Sequence, residues 1–210
     1  MEDWAAAGRR IALQWRHRWR RAGEEREEPV REEIQKPPLP KAFSPSSRLL
    51  ATRKRAAVAG DILRQVERLI KREHWGQAER ILIEELSRRP RLAPAYHLLG
   101  EVYIKGERWD EAIEVFEELV KRHENDAAAW GKLGKLYARK GDLPQAIKAL
   151  QQAHDLDERN AEYLRELAEI ALRMDNVPLA RVTLEKLLAL EPENTKVQRQ
   201  LQELEERYPV

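Results

Sequence analysis

Four cations, Lys71, Lys105, Arg139 and Arg173, recur every 34 residues. Such a row could hold an acidic segment or a terminal carboxylate, because Lys and Arg meet carboxylates through charge-assisted hydrogen bonds. A second account needs no ligand: in the last turn of a helix each cation is favoured by the helix dipole by about 0.3 to 1 kcal/mol. Other chemistry has little support. His17, His74, His97, His123 and His154 fall at unrelated phases of the 34-residue spacing, and none pairs at the i, i+4 spacing of a helical metal site. His154 with Asp155, Asp157 and Glu158 lacks the glycine and the ligand spacing of a calcium loop. There is no glycine-rich phosphate loop, and Ser44, Ser46, Ser47 and Ser87 have no His and Asp set in the pattern. No cysteine occurs in the 210 residues, so a thiolate nucleophile, a disulfide frame and a cysteine-ligated zinc are ruled out, and a reducing compartment is compatible. Neither an enzyme nor a cofactor, metal or small-molecule substrate is expected.

The elements that would carry the four cations are clearest in residues 127–160, AAAWGKLGKLYARKGDLPQAIKALQQAHDLDERN. Trp130, Leu133, Gly134 and Tyr137 share one helix face, and Ala146, Leu150 and Ala153 share a face of a second helix. Gly134 and Ala146 leave room for the two backbones to approach, which makes a helical hairpin. A hairpin of this kind cannot bury its apolar faces alone, so copies should flank it. Blocks 59–92, 93–126, 127–160 and 161–194 keep one phase: Ala78, Ala112, Ala146 and Ala180 align, with Leu82, Phe116, Leu150 and Leu184 four residues later. In the first helices Ile62, Tyr96, Trp130 and Leu164 align, and the small site is Gly100, Gly134 and Ala168 but Val66 in the first block.

The spacing W-x2-L-G-x2-Y followed by A-x3-L-x2-A resembles the tetratricopeptide repeat, whose period is about 34 residues, over roughly two thirds of the chain. The resemblance implies an all-α fold, a right-handed α-solenoid of four helix-turn-helix repeats. In the first block Gln65 and Glu85 replace the packed residues of later copies, as suits an end repeat with no predecessor to cover it. Residues 195–208 place Val197, Leu201, Leu204 and Tyr208 on one face and polar residues elsewhere, as a cap helix needs. The resemblance also implies that the first helices line a concave groove for a peptide or helix of another protein. By phase the groove residues are Leu63, Glu67, Ile70 and Lys71, then His97, Glu101, Ile104 and Lys105. The third and fourth repeats add Gly131, Lys135, Ala138 and Arg139, then Arg165, Glu169, Leu172 and Arg173. The Lys and Asn clamp by which some family members hold a heat-shock chaperone tail is not matched. Leu63, Glu67, Leu98, Ala128 and Lys132 stand at its positions, or, one repeat on, His97, Glu101, Lys132, Glu162 and Glu166.

The remaining chain is organised differently. Residues 1–58 carry 14 Lys and Arg against 8 Asp and Glu, which leaves 25 against 29 for residues 59–210. Residues 1–22 read as an amphipathic helix with Trp4, Ile11, Trp15 and Trp19 on one side and Arg9, Arg10, Arg16, Arg20 and Arg21 on the other. That face suits docking on the repeats, a partner helix or a neighbouring copy, or an anionic membrane surface; nucleic acid has only the basic charge in its favour. Residues 23–47 reverse the charge in EEREEPVREE and then become a proline-rich spacer. Pro37, Pro38 and Pro40 are also compatible with a short polyproline ligand. Ser47 caps an expected helical lead-in over 48–58. No apolar run approaches the roughly 18 residues that span a bilayer, and the N-terminus lacks a secretory signal core. A cytoplasmic location, peripheral to the membrane if the arm binds lipid, is therefore expected. Two functions follow: a protein-interaction scaffold acting through the groove, or a peripheral membrane or nucleic-acid binding factor acting through the basic arm.

Overall fold

The computed structural model describes residues 59–208. The expected N-terminal helix with its Trp and Arg residues, the linker at 23–47 and the lead-in at 48–58 lie outside the described residues. The described residues form helices without strands. In order these are α1 (59–71), α2 (Trp75–Arg88), α3 (Ala93–Lys105), α4 (Trp109–Arg122), α5 (Ala127–Lys140), α6 (Leu143–Leu156), α7 (Ala161–Arg173), α8 (Val177–Leu190) and α9 (Thr195–Arg207). From α2 onward each helix packs on the next, and α5 also touches α7, first helix against first helix. The result is a helical solenoid.

Small residues set the spacing within a hairpin. Ala78, Ala112, Ala146 and Ala180 are all fully buried, as are Leu82, Phe116, Leu150 and Leu184 one turn later. A Cβ on Gly100 would stand 2.4 Å from the Phe116 ring, and one on Gly134 would stand 2.6 Å from Leu150 Cγ. Larger residues there would hold the helices apart. Between hairpins, Asp126, Asn160 and Asn194 cap the helices that follow by accepting from Ala129 N, Glu162 N and Val197 N. A short polar side chain there meets one of the N–H groups that an α-helix leaves unpaired. Leu92 holds the equivalent place before α3 and makes no such bond.

The turn inside each hairpin also repeats. Glu73, Glu107, Gly141 and Asp175 have φ of 61°, 55°, 86° and 52°, and the next residue donates its N–H to a carbonyl five back, as Arg108 does to Tyr103 O at 2.9 Å. This closes the helix end in the left-handed conformation that glycine adopts most cheaply. Only Gly141 satisfies that preference. Replacing Glu107 by Gly is therefore expected to stabilise the fold by about 1 kcal/mol, read as a higher urea midpoint at unchanged slope. Gly141→Ala should lose a similar amount.

One expectation fails. Glu85 was read as tolerated because the first block lies uncovered, yet it is only 2% exposed. Its carboxylate lies 3.5 Å from Arg88 Nη1 and 3.4 Å from Arg89 Nη1, so an ion pair stands where Leu119, Ala153 and Leu187 pack in later copies. Charge pairing, not exposure, accommodates it. Gln65 is exposed, in keeping with the reading.

Candidate protein-binding groove

The first helices α1, α3, α5 and α7 carry the residues read as a groove. Leu63 and Ile70 on α1 are half-buried, while Glu67 and Lys71 are exposed. On α3, His97, Glu101 and Ile104 are half-buried and Lys105 is exposed. On α5, Lys135 and Ala138 are half-buried and Arg139 is exposed; on α7, Arg165, Glu169 and Arg173 are exposed and Leu172 half-buried. Gly131 is not a groove residue. It is buried beneath Tyr163, whose ring would lie 2.4 Å from a Cβ at that site, so the absent side chain serves packing between α5 and α7.

Inside the groove the polar side chains are already paired. His97 Nε2 lies 2.8 Å from Asp126 Oδ2, and the His97 ring meets Phe116 edge-on at 6.0 Å. Lys135 Nζ donates to Glu162 at 2.7 Å and contacts Glu166 at 3.0 Å, both on α7. Arg165 pairs with Glu162 at 3.0 Å and also with Glu191 beyond α8. These pairs span 26 to 29 residues, so each ties one repeat to the next.

Burial would lower the Lys135 pKa, but the hydrogen bonds and charges of Glu162 and Glu166 more than reverse this and raise it. The Glu162 carboxyl is held below its ordinary value, first by the hydrogen bond from Lys135 and then by its charge. A lowered carboxylate pKa stabilises the fold above the ordinary carboxylate range and ceases to do so as pH falls through the lowered value. A raised lysine pKa stabilises below the ordinary lysine value and is lost as pH rises through the raised one. The contribution is thus level at neutral pH. Because the two side chains are 41% and 47% exposed, solvent screens the pair. Lys135→Met is expected to cost about 0.5 kcal/mol at pH 7. Thermal unfolding should show the gap to wild type closing on acidification below the carboxylate range.

The edge of the groove differs from its interior. Arg139 lies over Trp109 with its guanidinium carbon 4.2 Å from the ring centroid, while the neighbouring Lys140 pairs with Asp110 at 2.6 Å. At the C-terminal end an open cleft of about 810 Å³ runs between α7 and α9, bounded by Glu169, Leu172, Arg173, Lys196, Val197 and Gln200. The sequence pattern pointed to Arg139 but not to Trp109, 30 residues earlier, nor to Glu191. No local spacing marks residues that meet only when hairpins stack. Among the described residues no group of His, Asp and Glu is arranged to hold a metal ion, and no helix is long and apolar enough to cross a membrane. His123 Nε2 meets Arg91 O at 3.0 Å, and the buried His154 Nδ1 has no hydrogen-bond partner.

Two family models, both described as tetratricopeptide repeat, match the chain, one over residues 63–127 and 97–160 and the other over 137–204. No curated protein matches it. Among solved structures the fold is similar to that of MamA, at 21% identity and a TM-score of 0.61, covering 67% of this chain and 82% of that one. It is similar to MamA of Desulfovibrio magneticus RS-1 at 26% identity and a TM-score of 0.56, covering 63% and 75%. A chain in the structure of Naa15/Naa10 bound to HypK-THB matches at 17% identity and a TM-score of 0.58, covering 70% of this chain and 22% of that one. With the family models spanning residues 63–204 almost without interruption, and hairpins in the same phase, the chain belongs to the tetratricopeptide repeat family.

Proposed function

We propose that this chain is a non-enzymatic interaction scaffold whose first helices receive a peptide or helix of another protein. The observation that carries this is a row of half-buried apolar side chains at one register of those helices: Ile70, Ile104, Ala138 and Leu172. Each is partly open to solvent beside polar neighbours, which is the surface an extended or helical segment can cover. Membership of a repeat family used as a binding platform supports the class, and a structurally similar protein, Naa15, occurs in a structure bound to HypK. A photo-crosslinking amino acid at Lys132, exposed on α5, should trap a discrete protein in native lysate. The same group at Lys148, exposed on α6, should trap none. Equal trapping at both positions would remove the groove from the account.

A second reading rests on the sequence of residues 4–21, where three Trp and six Arg have the composition of an interfacial helix. It expects the full chain to sediment with anionic liposomes in a salt-dependent manner. Changing Arg9, Arg10, Arg16, Arg20 and Arg21 to Gln should abolish that sedimentation.

A further inference from the structure

We propose that Lys71, Lys105, Arg139 and Arg173 form a docking edge for an extended acidic segment of another protein, whose apolar side chains cover the neighbouring row. This deepens the groove proposal and rests on it.

The cations of the groove fall into two sets. Lys135 and Arg165 are neutralised by Glu162, Glu166 and Glu191. Lys71, Lys105, Arg139 and Arg173 are exposed and form no ion pair among the described residues. Glu67, Glu101 and Glu169 stand four residues before three of them, the spacing that favours Glu to Lys or Arg pairing along a helix, yet no such bridge forms.

The helix dipole does not account for the regularity. It favours a cation anywhere in a last turn, so it should act on the second helices too. There the last turns carry Arg88 in α2, Lys121 and Arg122 in α4, only His154 in α6 and no basic residue in α8. The first helices hold one register through all four repeats. A fixed register across neighbouring helices is what a ligand running along them requires, and what a dipole does not.

The stack of Arg139 on Trp109 adds orientation. A guanidinium laid flat on an indole keeps its N–H groups in the plane of the fork, where a carboxylate can meet two of them. Beside each cation sits a member of the apolar row, and Leu172 with Arg173 borders the cleft against α9. Packed helices lie about 8 to 10 Å apart, and an extended chain rises about 3.3 Å per residue. Acidic side chains three residues apart would therefore match successive cations.

The probes are fluorescein-labelled peptides of four Glu-Leu-Ser units and four Lys-Leu-Ser units, titrated against the full chain by anisotropy at low salt. The glutamate peptide should bind at least tenfold more tightly than the lysine peptide. Lys105→Glu with Arg139→Glu should weaken it at least tenfold. Trp109→Ala, which leaves the charge intact, should weaken it about threefold. Lys148→Glu with Lys186→Glu, the same charge change on the second helices, should leave it unchanged, and so should the five Arg to Gln changes in residues 9–21. Circular dichroism should show each variant helical. Equal weakening by the Lys148 and Lys186 changes, or loss of binding only with the residue 9–21 variant, overturns the proposal. A partner still crosslinked at Lys132 in the Lys105→Glu, Arg139→Glu chain would leave the groove standing and remove its acidic edge.

Discussion

Gly134→Val is expected to lower the unfolding free energy by about 3 kcal/mol. Two effects oppose each other at this site. A β-carbon removes the backbone entropy that glycine loses on helix formation, which for alanine is worth about 1 kcal/mol of stabilisation. Against it, that carbon would stand 2.6 Å from Leu150 Cγ and 3.2 Å from Leu150 N. A side chain can rotate away, but a backbone nitrogen inside α6 moves only with the helix. The two further methyl groups of valine then force α5 and α6 apart, and overpacking of this kind typically costs about 1 to 3 kcal/mol before any neighbouring contact is lost. Each hairpin packs on the next, so separation of α5 from α6 also weakens the seating of α4 and α7. Urea unfolding followed by circular dichroism should show the lowered midpoint. Adding Leu150→Ala should recover part of it by vacating the space, despite the core volume it removes. A variant no weaker than Gly134→Ala would mean that the α5 to α6 contact is looser than its geometry indicates.

The same geometry shows why so much of the fold was legible in the sequence. A repeated hairpin imposes one packing problem four times, and Ala78, Ala112, Ala146 and Ala180 solve it with one residue type at one place. Period and phase sufficed, because the constraint is local to a pair of adjacent helices. The candidate site was legible only as a set of positions. Lys135 and Arg139 share a helix four residues apart, yet the first is tied to Glu162 and Glu166 and the second lies on Trp109. Which fate each meets depends on partners 27 to 31 residues away, set by the stacking of hairpins rather than by the spacing within one. Gly131 was misplaced for the same reason: its phase faces the groove, but Tyr163 from the next repeat covers it. Glu85 adds the converse case, in which a polar residue at a core phase is buried by acquiring Arg88 and Arg89.

Arg108→Ala is expected to cost about 3 kcal/mol, far more than its place in a turn suggests. Arg108 precedes α4, and its Nη1 donates to both oxygens of Glu79 on α2, at 3.1 and 3.0 Å. Its Nε donates to Glu111 at 3.0 Å, and its guanidinium lies 4.3 Å from the centre of the Tyr103 ring. Tyr103 donates its hydroxyl to the same Glu79 at 3.0 Å, and its pKa is pushed far up by burial and then by the Glu79 charge. Burial would lower the Arg108 pKa, but Glu79 and Glu111 raise it overall. The carboxylate that holds this cluster together is only 12% exposed. Removing the guanidinium leaves that charge with one neutral donor in a place that water reaches poorly, and breaking such a pair typically costs about 3 to 5 kcal/mol. The lower end applies because Arg108 itself is 29% exposed. Tyr103→Phe, which removes a single hydrogen bond and leaves the ion pair, should cost about 1 kcal/mol. Glu79→Leu combined with Arg108→Leu should restore most of the stability lost by Arg108→Ala, since the penalty comes from the stranded charge rather than from the absence of an attraction. Urea midpoints for the three variants separate these terms. If Arg108→Ala falls within about 1 kcal/mol of wild type, Glu79 must be reached by water, and the cluster then joins the first two repeats only weakly.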